Sequence, residues 1–161
     1  MFRLTFLALA ALFLVVEASP HRNATGTIQV KYYSILNEDR SFVGAILACE
    51  KAGMQIASVN SEEEQLLLQS AIDSASVKSP FGYWIGAAAV DDSDTDVFYW
   101  INSGLKMLTY KNWGTSQPNF INYSHDGICV RVGNYFKVDE PYQWENFDCT
   151  AELFYICEAQ S

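Results

Sequence analysis

Four cysteines, Cys49, Cys129, Cys149 and Cys157, follow an N-terminal apolar leader, and together these features limit what the chain can become. The leader, MFRLTFLALAALFLVVEAS, places one Arg ahead of an unbroken apolar run from Leu4 to Val16, with small residues after it. That run is short for a bilayer crossing and carries the flanks of a secretory signal. Val16 and Ala18 occupy the −3 and −1 positions of a cut that would leave Ser19 first, so residues 1–18 are expected to be removed. In the oxidising compartment this implies, an even cysteine count reads as two disulfides, and three pairings are open. A zinc site would need close Cys-x-x-Cys or Cys/His pairs, which the spacing does not provide.

What remains behind the leader suffices for one compact domain and is too short for two. The whole chain's 19 acidic residues outnumber 10 basic ones, for a formal charge of −9. Without a basic stripe, that balance argues against nucleic acid and anionic membrane surfaces as partners. No second apolar run of spanning length follows. The sequons at Asn23 and Asn122 are candidate glycosylation sites in a secreted chain.

Residues 19–27 are polar and read as a flexible lead-in to a domain over 28–161. TIQVKYYSI alternates apolar and polar residues, a strand signal. SFVGAILACEKAG sets Phe42, Ile46 and Cys49 at helical spacing, with Gly53 as its cap. SEEEQLLLQSAIDSA reads as a second helix, opened by a Ser61–Glu64 capping box and an acidic first turn. After Pro80 the pattern changes to short aromatic and β-branched runs, YWIGA, VFYWI, GICVRV and LFYICEA, divided by turn-rich stretches. The class is α+β, with both helices early. The stretch from Lys111 to Asp126 lacks periodicity, and so long a loop inside a compact domain is usually functional.

In order and spacing, YWIGA, VFYWINSG, LTYKNW, QPN, ICV, QWENFDC and FYICE resemble a C-type lectin-like domain, from about Val30 to Glu158. The layout is similar to the secreted single-domain lectins of insects. The resemblance implies two helices, short antiparallel sheets, a long irregular binding loop, and disulfides Cys49–Cys157 and Cys129–Cys149. It also implies a cis bond before Pro118 and Ca²⁺ held by the upper loops, where the ion meets two neighbouring sugar hydroxyls. Carried over by position, the ligands would be Gln117, Asn119, Asp126, Glu145 and Asn146.

The chain departs from the family pattern at three places. Gln117-Pro118-Asn119 is a hybrid of the galactose-type and mannose-type tripeptides. Trp144-Glu145-Asn146 stands where the family has Trp-Asn-Asp, and Gly127 replaces the family's glutamate, with His125 and Asp126 nearby. Two carboxylates in place of three imply weak Ca²⁺ binding, roughly 10⁻⁴ to 10⁻³ M. Gln117 would share one hydroxyl with Glu145, and Asn119 the other with Asp126, so each keeps one donor and one acceptor. The reversed polarity of the first pair favours galactose-type ligands on microbial or host surfaces.

Other residues have blander readings. Asp91, Asp92, Asp94 and Asp96 lie where the family sometimes places a second Ca²⁺, but Asp is also simply a good turn residue. Trp84, Trp100 and Trp113 are expected in the core, whereas Phe120 or Tyr123 could stack on a sugar. No nucleophile–base arrangement points to an enzyme. The rival to a Ca²⁺-dependent lectin is a protein-binding member of the fold that needs no ion.

Overall fold

The computed structural model describes residues 21–22, 28–29, 31–89, 97–120, 128–133 and 141–160. Strands β1 (His21–Arg22) and β2 (Ile28–Gln29) pair antiparallel. The rest is an eight-stranded sheet carrying two helices. Its strands are β3 (Lys31–Arg40), β4 (Gln55–Ile56), β5 (Tyr83–Ala89), β6 (Phe98–Trp100), β7 (Leu105–Lys106), β8 (Ile128–Val132), β9 (Trp144–Asp148) and β10 (Leu153–Gln160). The main path runs β3-β10-β5-β6-β7; β4 also pairs with β10, and β8 joins β5 to β9. The α+β expectation holds, with one difference. β10 meets β5 in parallel, through Phe154 opposite Tyr83 and Tyr155 opposite Trp84, so the sheet is mixed. Among the described residues, no helix is long and apolar enough to cross a membrane.

Local chemistry sets the helix ends. In α1 (Phe42–Lys51) the Ser41 hydroxyl accepts the Gly44 amide, which satisfies one otherwise orphaned N–H. At the other end Gly53, with φ 73°, lets its own amide reach the Glu50 carbonyl and the Met54 amide reach that of Cys49. This is a Schellman closure, which the glycine permits because it has no Cβ to clash. In α2 (Glu62–Ser74) the Ser61 hydroxyl accepts the Glu64 amide. The expected capping box forms only on that side. The Glu64 carboxylate accepts the Asn60 amide at 2.8 Å and lies 2.8 Å from the Lys31 ammonium, which draws it away from the helix end.

Two apolar clusters fill the fold. One gathers Leu68 and Ile72 of α2 against Ile85, Val130, Val132, Trp144 and Ile156. The other packs Phe42, Ala45 and Cys49 of α1 on Trp84, Leu153 and Tyr155. Cys49–Cys157 fastens α1 to β10, and Cys129–Cys149 fastens β8 to the turn after β9, as the family pattern implies. The first closes a separation of 108 residues, for which the chain-entropy account gives about 4 to 5 kcal/mol.

A largely buried polar network ties β3, α2 and β10 together. The Lys31 ammonium donates to the Ser58 carbonyl and hydroxyl at 3.0 and 3.1 Å and to Glu64, and lies 3.1 Å from Glu158. Tyr33 donates to the same Ser58 carbonyl at 2.6 Å. Burial, and then the charges of Glu64 and Glu158, push the Tyr33 phenol well above its ordinary value. A raised tyrosine value means the folded state holds its proton more tightly than the unfolded chain. That contribution is complete below pH ~10 and is lost progressively as pH rises above it. Tyr33→Phe should therefore cost about 1 kcal/mol at neutral pH through the lost hydrogen bond. Urea unfolding across alkaline pH should then show a shallower decline than wild type, and an unchanged decline would contradict the assignment.

Candidate functional site

The long loop is fastened to β9 rather than left free. Trp113 bridges Trp144 in parallel, the Gly114 amide reaches the Trp144 carbonyl, and the Trp144 amide reaches that of Asn112. Aromatic packing follows from that anchoring. The Trp113 ring lies 4.9 Å from that of Phe98 and 6.0 Å from that of Trp144, while Phe120 stacks on Phe98 at 6.3 Å. Phe120 is therefore half-buried against the core, which leaves less of it for a sugar face. Trp84 and Trp100 are buried and Trp113 is half-buried, as expected for core residues.

Beyond Trp113 the chain turns through Ser116, at φ 64°, into the cis Gln117–Pro118 bond. Asn119 comes next, and here the two remote segments meet. The Asn119 amide donates to Asn146 Oδ1 at 2.6 Å, and Asn146 Nδ2 donates to the Asn119 carbonyl at 2.8 Å. Asn146 is 1% exposed, whereas Asn119 presents its side chain to solvent. A buried carboxamide thus grips both polar groups of one backbone position, holding the loop where an exposed side chain can work. The Gln117 Oε1 is also buried, and no partner for it exists among the described residues.

Glu145 goes elsewhere. Successive strand residues face opposite sides of the sheet, so Asn146 turns to the loop and Glu145 turns away from it. Arg131, directly across on β8, donates to Glu145 Oε2 through Nη2 at 2.7 Å and Nε at 3.2 Å. The guanidinium also lies over the Phe147 ring at 3.8 Å and donates to the Phe81 carbonyl. Both charges are more than nine-tenths buried. Arg131 escapes a reading of the sequence alone, although a lone cation inside the apolar run ICVRV signals a buried counter-charge.

Of the five expected ligands, the fold brings Asn119 and Asn146 into contact, keeps Gln117 beside them, and turns Glu145 to Arg131. Asp126 lies outside the described residues, as do Asn23, Asn122, Tyr123, His125, Gly127 and the Asp91–Asp96 cluster. Ca²⁺ prefers six to eight oxygens, several of them anionic. The described residues do not fit that demand. They hold no group of three His, Cys, Asp or Glu suited to a metal. The Glu145 carboxylate is already matched by a guanidinium, and the Asn146 oxygen already accepts an amide.

The family model for the Lectin C-type domain matches residues 38–159. The chain belongs to the C-type lectin domain family. This lectin domain is 29% identical over 128 residues to CD209 antigen-like protein 2 of Macaca mulatta, covering 78% of this chain and 43% of that protein. It is 27% identical over 128 residues to salivary C-type lectin 2 of Aedes albopictus, covering 78% of this chain and 82% of the relative. Among solved structures it matches the Ca²⁺-independent C-type lectin SPL-2 from Saxidomus purpuratus, with TM-score 0.63 and 21% identity. That match covers 80% of this chain and 86% of the other, and at such identity it speaks for the fold alone.

Proposed function

We propose that this lectin domain binds carbohydrate outside the cell through the surface around Gln117 and Asn119, without a resident Ca²⁺ ion. One observation carries the reading. Two of the five groups expected to hold the ion are committed to the protein itself, Asn146 to the Asn119 backbone and Glu145 to Arg131. The usual contribution of such an ion is to order the loop and to hold vicinal hydroxyls. Here the first task falls to the Asn146 clamp and the inner disulfide. The second falls to the exposed Asn119 carboxamide, a group whose amide chemistry suits sugar hydroxyls. The family provides the carbohydrate context, and the name of its SPL-2 neighbour describes a lectin that works without Ca²⁺. The secretory leader and the two sequons fit an extracellular site of action.

A glycan array probed in EDTA and in millimolar Ca²⁺ tests this proposal. The expected result is one set of bound glycans with equal signal in both buffers, and the galactose-terminated members test the preference expected from the hybrid tripeptide. A signal abolished by EDTA contradicts ion-free binding. An array blank in both buffers favours the rival reading of a protein-binding domain.

A further inference from the structure

Among the described residues, nothing covers the outer face of α1. From Phe42 to Cys49 the helix reads FVGAILAC, without a charged or hydrogen-bonding side chain. A surface helix in water ordinarily sets polar residues opposite its core stripe, and one that is apolar all round is covered on every side. Phe42, Ala45 and Cys49 take the core side. Val43 and Leu47, one turn apart, are left 62% and 59% exposed on the other. Ile46 and Ile101 continue the apolar surface on one flank, where they line a cleft with Glu50. A single exposed leucine is ordinary, but two unbroken apolar turns ask for a cover.

The charges at the two ends of this stripe say what covers it. Arg40 comes just before the helix, and its side-chain carbons lie 3.5 and 3.6 Å from where a Cβ on Gly44 would stand, so it runs along the helix beside the stripe. Its guanidinium holds Glu38 and the Asp39 carbonyl and, being half-exposed, has further N–H groups to offer. Glu50 and Lys51 close the last turn, and like Asp39 they are exposed. When a second α1 is laid antiparallel on the first, Val43 meets the other copy's Leu47, and Leu47 its Val43. The same register sets Glu50 level with Arg40 and Lys51 level with Asp39. Each charge then faces its opposite, and two-fold symmetry repeats both pairs. A parallel arrangement would set Arg40 on Arg40 and Glu50 on Glu50.

We propose that the outer face of α1 docks a second copy of this chain, with the two helices antiparallel about a two-fold axis. The apolar stripe supplies contact, and the charges at its ends fix direction and register. A lipid surface would satisfy the stripe alone, since it offers no ordered counterpart to Arg40 and Glu50. Ten residues of helix extend only about 15 Å, so the interface falls short of the roughly 800 Å² per partner of a standard complex. The dimer is therefore weak, with a dissociation constant of about 10⁻⁴ M expected. It is independent of the glycan surface around Asn119.

Sedimentation equilibrium of the purified protein, at concentrations that bracket this value, should show a reversible monomer–dimer step. Leu47→Glu puts a charge on the stripe and should abolish that step. Because Leu47 is exposed, the melting temperature of the variant should stay that of wild type. Arg40→Glu and Glu50→Arg form the decisive pair. Each alone sets like charges together at both ends of the interface and should weaken association about tenfold. Mixed together, the two variants restore both opposite-charge pairs in a heterodimer, which should form as tightly as the wild-type dimer. A protein that stays monomeric throughout, a dimer indifferent to Leu47→Glu, or a mixture no tighter than its components would each overturn the assignment. Monomers that bind phosphatidylcholine vesicles, and lose that binding in Leu47→Glu, would give the face to lipid and overturn it equally.

Discussion

Lys31→Met should destabilise the fold by about 3 to 5 kcal/mol, the range found when one partner of a buried charge group is removed. The Lys31 side chain is 10% exposed and fills the space between Glu64, at 12%, and Glu158, at 4%. Met matches its volume closely, so packing changes little and the loss is electrostatic. Two carboxylates would then face each other across Ser58 with no counter-charge, in a place where water cannot fully replace the ammonium. Three segments depend on this one cation: the start of β3, the first turn of α2, and the end of β10. Urea unfolding should show the midpoint moving sharply down. The same substitution with Glu64→Gln and Glu158→Gln should cost much less, because the uncompensated charge has gone. Equal losses in both backgrounds would show that lost packing, not charge, is responsible.

The second large effect is expected at Asn146. Asn146→Leu removes both hydrogen bonds to the part-buried Asn119 backbone N–H and C=O, costing about 1 to 3 kcal/mol. The functional loss should be larger than the stability loss suggests. Asn119 is useful only where its backbone is fixed, and a loop that samples several positions must be ordered again by the ligand. Glycan binding should fall at least about tenfold, while Cys129–Cys149 keeps the domain closed. Asn119→Ala is the companion experiment. It keeps the backbone clamp, so it should spare the melting temperature and still lose binding. If Asn146→Leu melts lower yet binds glycans as wild type, the loop's order is unrelated to recognition.

Much of the fold could be read from local chemistry. Ser61 and Gly53 announce helix ends through interactions that span a few residues; the Gly53 closure forms, and the Ser61 box forms on one side. The aromatic runs announce β5, β6, β8 and β10, because short aromatic and β-branched runs bounded by turn residues are themselves a strand signal. WENFD was legible as a motif rather than as the strand β9 that it forms. The parallel contact of β10 with β5 had no such trace, since strand direction is decided by how the whole chain returns. The same limit applied to charge. Glu64 reads as a capping residue from its neighbours, yet a lysine 33 positions earlier draws its carboxylate away from the helix end. At the candidate site, position in a motif placed Asn119 and Asn146 around one centre, but it paired Asn119 with Asp126, and the direct Asn119–Asn146 contact emerges only in the fold. The motif assigned Glu145 to the same centre, and only the cross-strand register with Arg131 shows the carboxylate turned the other way.

On the proposed reading, protein hydrogen bonds, and not an ion, fix the binding loop. Hydrogen exchange at the Asn119 backbone amide measures this directly, because that amide donates to Asn146 Oδ1 at 2.6 Å. Exchange should be slow in EDTA and unchanged on adding millimolar Ca²⁺. An amide that exchanges freely in EDTA and becomes protected only with Ca²⁺ would contradict the account.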